Sequence, residues 1–598
     1  MMAKQHLALM IRESVLKYSE HVAMRIKVSD NWKEYTYKEM GEQIDAVAFA
    51  LLESGIAEKK MIGIFAPNRP EWAIADFAIL SVKAVSVPIY GTNTSKQTEY
   101  IIDDAGINLL FVGTHEQYKK VQEFNRSSKK VKKIVVFDKS VKLEGDDSIH
   151  FDDFIALGKK SDKSDELKKR LEKCETSDLA TLIYTSGTTG DPKGVMLTHS
   201  NFYHQLNGIS EHFDISIKDI SLCFLPLSHA YERSWSYIVF LYGAQNNYLA
   251  DPKKIVETMP EVRPTAMVAI PRLYEKIYAA VFEKLEKSSS LKKGLFMWAL
   301  AKGKTYQYKK KDKKIVGPWL GFTHSLADKI ILSKIRDVVG GPKNFFSAGG
   351  AALSKDIEEF FFAAGLLVCQ GYGLTETSPV ITCNRPAEFK FGTVGKVISD
   401  TDIKINDEGE ILIRGGNLMT GYYNKPEATA EAIVDGWFHT GDIGIIDSEG
   451  FLKITDRIKD LIITSQGKNI APQQIESLLG MDRYIEQITT IGDEKKYISA
   501  LVVPTFVSLE EYAKENGIQF SSKDDLVKNP KIIKFYKDRI EAASKELANY
   551  EQIKRFTLLG NDFTQEGGEL TPTLKTKRKV VAEKYKDIID SMYAEDRD

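Results

Sequence analysis

A chain of 598 residues with a formal net charge of −1 is too long for one ordinary core and offers no bulk electrostatic case for nucleic-acid binding. Its 43% hydrophobic and 28% charged content fits a soluble globular protein of at least two domains. Cys174, Cys223, Cys369 and Cys383 form no CxxC pair, which argues against a disulfide framework or structural zinc and for a reducing, cytoplasmic compartment.

Charges are spread through Met1 to Tyr18, which has no apolar core of the signal-peptide kind. Apolar spacing predicts a helix over Tyr37 to Glu53, with Ala46, Ala50 and Leu51 on its apolar face. Met61 to Phe65, Leu109 to Val112, Lys133 to Phe137 and Leu182 to Tyr184 read as buried strands. The most apolar stretch, Trp72 to Tyr90, is broken by Asp76 and Lys83 and reads as a buried helix followed by a strand rather than a membrane span. This alternation is α/β grammar. From Glu283 to Lys314 lysines are dense around Leu295, Phe296, Trp298 and Ala299. The region reads as a solvated helical excursion with one packed face, and a basic amphipathic surface resting on anionic membrane is the sharper alternative. Near Asp456 a turn-rich β segment gives way to a new αβ unit, and the rest of the chain has the size of a second small domain.

The strongest chemical signal is Tyr184-Thr185-Ser186-Gly187-Thr188-Thr189-Gly190-Asp191-Pro192-Lys193-Gly194, directly after an apolar run. Glycines let backbone N–H groups approach phosphate oxygens, Ser and Thr hydroxyls donate further, and Lys193 supplies a compact positive charge. No GK[ST] closes the segment, so it is a polyphosphate loop of a kind other than Walker A. It resembles the signature of the adenylate-forming superfamily of acyl-CoA synthetases, luciferases and peptide-synthetase adenylation domains, and further motifs follow in family order along nearly the whole chain.

The resemblance implies roles for these further residues. In Gln370-Gly371-Tyr372-Gly373-Leu374-Thr375-Glu376 the tyrosine lies near adenine, Thr375 contacts phosphate and Glu376 helps hold Mg²⁺. In Ser347-Ala348-Gly349-Gly350-Ala351 small residues admit the flat base. Asp442, in Trp437-Phe438-His439-Thr440-Gly441-Asp442, accepts from the ribose hydroxyls, with Arg457 as a second contact. Lys459 stands at the hinge position, and Gly467, in Ser465-Gln466-Gly467-Lys468-Asn469, faces the pantetheine arm of coenzyme A. Lys575 matches the mobile-domain lysine that reaches the acyl carboxylate and α-phosphate, although Leu574 replaces the usual glycine before it. Leu225-Pro226-Leu227-Ser228-His229-Ala230-Tyr231-Glu232-Arg233 resembles the long-chain acyl-CoA synthetase form of another core motif. His229 then either orients the carboxylate or assists thiol attack, with a packed structural histidine as the alternative. Ile270 to Tyr278 and Asp435 to Lys459 also resemble that branch.

The implied fold is a large N-terminal domain of α/β subdomains with a β-barrel-like subdomain, followed by a small mobile α+β domain. Expected boundaries are 1–456 for the AMP-binding domain with its acyl tunnel, 457–460 for the hinge and 461–598 for the mobile domain. The implied reaction joins a long-chain fatty acid to coenzyme A through an acyl-adenylate, consuming ATP with Mg²⁺. Thr185, His229, Glu376 and Lys575 are the catalytic candidates. An acyl carrier protein as acceptor, and a non-catalytic fatty-acid- or nucleotide-binding member, stand as alternatives.

Overall fold

The computed structural model describes residues 6–29, 31–185, 192–458, 460–466, 468–545, 547–571 and 576–594. Among them, short Val- and Ile-rich runs assemble an eight-stranded sheet. Leu179–Thr185, Val85–Tyr90, Met61–Ala66, Leu109–Val112, Lys133–Val136 and Ser148–His150 lie parallel in that spatial order. Strands buried on both faces need no polar alternation, which is why these segments read as continuous apolar runs. Lys193–Thr198 and Gly421–Tyr422 extend the sheet antiparallel beyond Leu179–Thr185. Covering helices start where their sequences cap them. Tyr37–Glu53 opens on a capping box in which Thr36 and Glu39 satisfy each other's backbone N–H. Pro70–Ser81, buried along its length, begins with proline in its first turn.

A second sheet runs parallel through Ala266–Ala269, Phe345–Ala348 and Val368–Gly373, then turns antiparallel through Val380–Cys383 and Lys396–Val397. Thr401–Ile405, Glu410–Gly415, Trp437–Ile446 and Leu452–Arg457 form a separate antiparallel sheet. After it comes a smaller body: Ile485–Ile491, Ile498–Pro504 and Ile553–Leu558 form a three-stranded sheet with a core of its own that includes Leu479, Leu501, Tyr536 and Val581. The molecule is therefore mixed α/β, with a large N-terminal part and a small C-terminal one. The lysine-rich stretch forms the helix Ser290–Lys311, which buries Phe296, Ala299 and Gly303 and leaves Leu291 and Met297 exposed. Among the described residues no helix is long and apolar enough to cross a membrane.

One buried polar cluster joins these layers. Arg233, on the helix Ala230–Leu241, is enclosed and forms an ion pair with equally buried Asp76 of Pro70–Ser81. Its Nη1 donates to Thr181 Oγ1 at 2.8 Å and its Nε to Tyr237 Oη at 2.8 Å, while the Tyr237 hydroxyl donates to Asp76 Oδ2 at 2.6 Å. Removing one member of such a set strands a buried charge. Asp76→Ala is expected to lower stability by about 3–5 kcal/mol, read as a shift of the first transition in chemical denaturation; a shift within the range of a surface substitution would deny this cluster its structural role.

Candidate active site

The sequence motifs gather at the carboxyl ends of parallel strands, where α/β sheets open a crevice. Thr185 ends Leu179–Thr185 and is paired in register with Lys193. Ser186, Gly187, Thr188, Thr189 and Gly190 lie outside the described residues, as do Lys459, Gly467 and Lys575. Gly349, Gly350 and Ala351 follow the end of Phe345–Ala348, and Gln370, Gly371, Tyr372 and Gly373 close Val368–Gly373. Gln370 is turned away from the crevice: its side chain donates to the Leu353 carbonyl and accepts from the Leu353 N–H, tying the loop after Gly350 to the strand. Gly373 has no room for a side chain, since a Cβ there would stand 1.6 Å from the Pro379 carbonyl oxygen.

One end of the crevice is built on Asp442. Its Oδ2 accepts from the Tyr372 hydroxyl at 2.6 Å and its Oδ1 from Arg457 Nε at 2.7 Å. Asp442 and Arg457 face each other across an antiparallel strand pair, so the register of Trp437–Ile446 and Leu452–Arg457 sets their meeting. The other end holds Glu376, in a short helical turn beside buried Thr375. Its carboxylate accepts from the Tyr422 hydroxyl at 2.9 Å, and burial raises its pKa. It also feels the charges of Arg457 and Asp442, so the two ends belong to one electrostatic site. The Lys193 ammonium lies 4.9 Å from the centre of the Tyr422 ring. Tyr422 thus bridges Lys193 and Glu376, and nothing in the sequence singled it out: it sits in the two-residue strand Gly421–Tyr422, too short to show a period.

His229 caps the helix Ala230–Leu241, its Nδ1 accepting from the Tyr231 N–H at 3.2 Å. Two residues on, the Tyr231 hydroxyl meets Ser347 Oγ at 2.7 Å, and its ring lies 3.0 Å from where a Cβ on Gly349 would be. The histidine motif and the small-residue loop are therefore neighbours. Asn68, another residue the sequence reading passed over, holds the approach to His229. It donates to the Leu225 carbonyl at 2.7 Å and accepts from the Leu227 N–H at 3.0 Å. Buried Glu232 accepts from the Leu225 N–H at 3.2 Å. Nine-residue motifs with one titratable histidine draw the eye to that histidine, whereas Asn68 acts from far away in sequence and has no local signal.

Two family descriptions cover most of the chain: "AMP-binding enzyme" over residues 11–423 and "AMP-binding enzyme C-terminal domain" over residues 459–597. The chain belongs to the AMP-binding enzyme family. A Mycobacterium bovis protein named long-chain-fatty-acid–CoA ligase FadD15 is 34% identical over 591 residues, 98% of this chain and 97% of that one. Human long-chain-fatty-acid–CoA ligase ACSBG2 is 31% identical over 613 residues, 97% of this chain and 91% of that one. Among solved structures, the A domain of a carboxylic acid reductase from Segniliparus rugosus, in complex with AMP and a co-purified carboxylic acid, superposes with a TM-score of 0.77 at 21% identity, covering 100% of this chain and 95% of that one. Within the family the chain falls in the long-chain fatty acid–CoA ligase branch, and it is an AMP-forming acid–thiol ligase, a class that uses ATP and coenzyme A.

Burial pushes the Glu232 carboxyl up to about 8. A raised carboxyl pKa means that the folded protein favours the protonated form. The stability this group contributes is therefore greatest below its unfolded value of 4.5 and falls as pH rises toward about 8. Glu232→Gln keeps the acceptor oxygen for the Leu225 N–H and removes the titration. At pH 8.5 its melting temperature is expected to exceed that of the wild type by roughly 2 °C or more, with the gap closing toward pH 5; melting curves that run parallel across that range would exclude a neutral Glu232.

Proposed function

We propose that this ligase activates a long-chain fatty acid with ATP and transfers the acyl group to coenzyme A. The observation that carries the reading is one polar cluster with Tyr372, Asp442 and Arg457 at one end and Lys193, Tyr422 and Glu376 at the other, coupled through the field of Asp442 and Arg457 at Glu376. In the first half-reaction a carboxylate oxygen attacks the α-phosphorus, the bond to the bridging oxygen of the β-phosphate breaks, and pyrophosphate leaves. No covalent enzyme nucleophile is needed; holding charge and orienting the two reactants in line are enough. Asp442 has the acceptor oxygens for a ribose diol, with Arg457 fixing its carboxylate. Thr185, Lys193 and the loop between them are assigned to the phosphates, and Lys575 to the carboxylate and α-phosphate.

Glu376 suits a hard cation shared with phosphate. Its carboxylate is partly buried, and its hydrogen-bond donor is the neutral Tyr422 phenol. Glu376 would hold such a cation together with phosphate oxygens of the nucleotide. When bound, Mg²⁺ offsets the negative charge gathering on the departing pyrophosphate.

In the second half-reaction the thiol sulfur attacks the acyl carbonyl, the thiol proton is lost and AMP leaves. His229 is assigned to orient the carbonyl or accept that proton. Lys575 is assigned to the carboxylate in the first step and Gly467 to the pantetheine arm in the second, as residues 461–598 rotate about a hinge at 457–460. Ion pairs in the contact between the two bodies support such movement, beside the apolar packing of Met481 on the larger core. Arg272 and Lys276 each meet Glu486 at 3.2 Å, and Arg483 meets Glu283 at 3.3 Å, ion pairs that water readily replaces. Peripheral contact with an anionic membrane belongs to the same reading, since the substrate partitions into bilayers.

The test is release of AMP from ATP and Mg²⁺ with palmitate or oleate, with and without coenzyme A. Equal amounts of AMP and acyl-CoA are expected; adenylate that forms but ignores coenzyme A would move the acceptor to an acyl carrier protein, and no adenylate would refute the substrate class. Lys575→Ala is expected to slow adenylation by about 10²-fold or more while thioester formation from supplied acyl-adenylate stays within a few-fold. Equal loss of both half-reactions would count against that assignment. Glu376→Gln is expected to raise the Mg²⁺ concentration for half-maximal rate roughly tenfold or more, and an unchanged titration would end its metal role.

A further inference from the structure

The helix Pro318–Ala327 is amphipathic in the reverse sense to its neighbours. Thr323 and Ala327 are buried against the protein, while Trp319 is 73% exposed, Phe322 64% and Leu326 43%. These three positions recur at i, i+3 and i+7 and form one outward stripe. The Trp319 and Phe322 rings stack with centroids 6.1 Å apart, and Ile315, 90% exposed, precedes them in the turn that leads into the helix. The rotation of the helix is set by its packed side, where His324 stacks on Tyr306 of Ser290–Lys311 at 3.8 Å. A helix free to hide these rings by turning would do so; this one is held with them facing water.

The surroundings are basic. Lys309, Lys313 and Lys314 lie in the segment leading into the helix with one acid among them, Asp312, which pairs with Lys314 at 2.8 Å, and the Lys309 ammonium donates to the Ile315 carbonyl at 3.4 Å; Lys310 and Lys311 lie over the Tyr306 and Phe389 rings. The acid at the far end, Asp328, is paired with Arg336 at 2.7 Å. A contiguous apolar patch with two aromatic rings, bordered by lysines and with its acids already neutralised, is the chemistry of a surface that inserts at the headgroup level of a negatively charged bilayer. A protein partner that buried this face would also have to accommodate the lysine cluster.

We propose that Ile315, Trp319, Phe322 and Leu326 insert into an anionic phospholipid membrane, with the lysines of residues 309–314 held over its headgroups. The inference deepens the membrane contact in the proposed function and rests on that part of the reading. Vesicle binding is measured without turnover, so its failure leaves the ligase assignment standing.

The full chain is mixed with sedimentable vesicles of phosphatidylcholine alone or of equal parts phosphatidylcholine and phosphatidylglycerol. The wild type is expected to sediment with the mixed vesicles, less so in high salt and least with phosphatidylcholine alone. Trp319→Ala combined with Phe322→Ala is expected to weaken binding about tenfold or more, with its circular dichroism and its turnover of a soluble short-chain acid unchanged. Lys313→Gln with Lys314→Gln is expected to weaken binding to the mixed vesicles alone. Equal vesicle binding by wild type and the aromatic variant, or no binding by either, overturns the proposal. So does self-association that the aromatic variant abolishes when no vesicle binding is seen, because the occupant is then a second copy of the chain.

Discussion

A buried guanidinium holds three elements distant in sequence in one arrangement. Arg233 lies four residues after His229 on the same motif, and its fork reaches Asp76, Tyr237 and Thr181. Thr181 belongs to the strand Leu179–Thr185, and Asp76 to the helix that begins just after Asn68. One fully desolvated cation thereby fixes the helix that His229 caps, the strand that ends at Thr185 and the segment that clamps residues 225–227. An unpaired charge in such a place is severely unfavourable, so alternative packings that separate these three elements are excluded. What the cluster contributes is one permitted arrangement of elements distant in sequence.

The crevice is assembled from strand ends, and this shapes its electrostatics. Strand backbones place Asp442 opposite Arg457 and bring Tyr372 to the same carboxylate, so the pairing is set by register rather than by a flexible loop. Glu376 is less provided for: a phenol donates to it and burial disfavours its charge. The smaller body, by contrast, meets the larger through partly exposed ion pairs of Arg272 and Lys276 with Glu486 and of Arg483 with Glu283.

Hydrophobic order is inverted at Pro318–Ala327. In the helices Tyr37–Glu53 and Pro70–Ser81 the apolar side chains are buried or half-buried. Here packed Thr323 and Ala327 and the stacked His324 face the protein while aromatic rings face out. The anchoring of this helix through polar and small residues leaves its large apolar side chains available to a phase other than water.

Much of this was open to reading in the residues themselves. Strands buried on both faces announce themselves as runs without polar alternation, as at Met61 to Phe65, because no solvated face imposes alternation. Thr36 and Glu39 mark a helix start through local hydrogen bonds that need no partner from elsewhere. The loop from Thr185 to Lys193 and the motifs holding Tyr372, Glu376 and Asp442 were visible because each is contiguous. Tertiary structure alone decided that Tyr422 joins Lys193 to Glu376, that Asn68 holds residues 225–227, that Gln370 faces Leu353 rather than the crevice, and that Trp319 and Phe322 face outward. Each of these depends on a contact between segments tens or hundreds of residues apart, or on which side of a helix a neighbour covers. Such contacts leave no period, spacing or local composition in the chain, and they come into being when the layers pack.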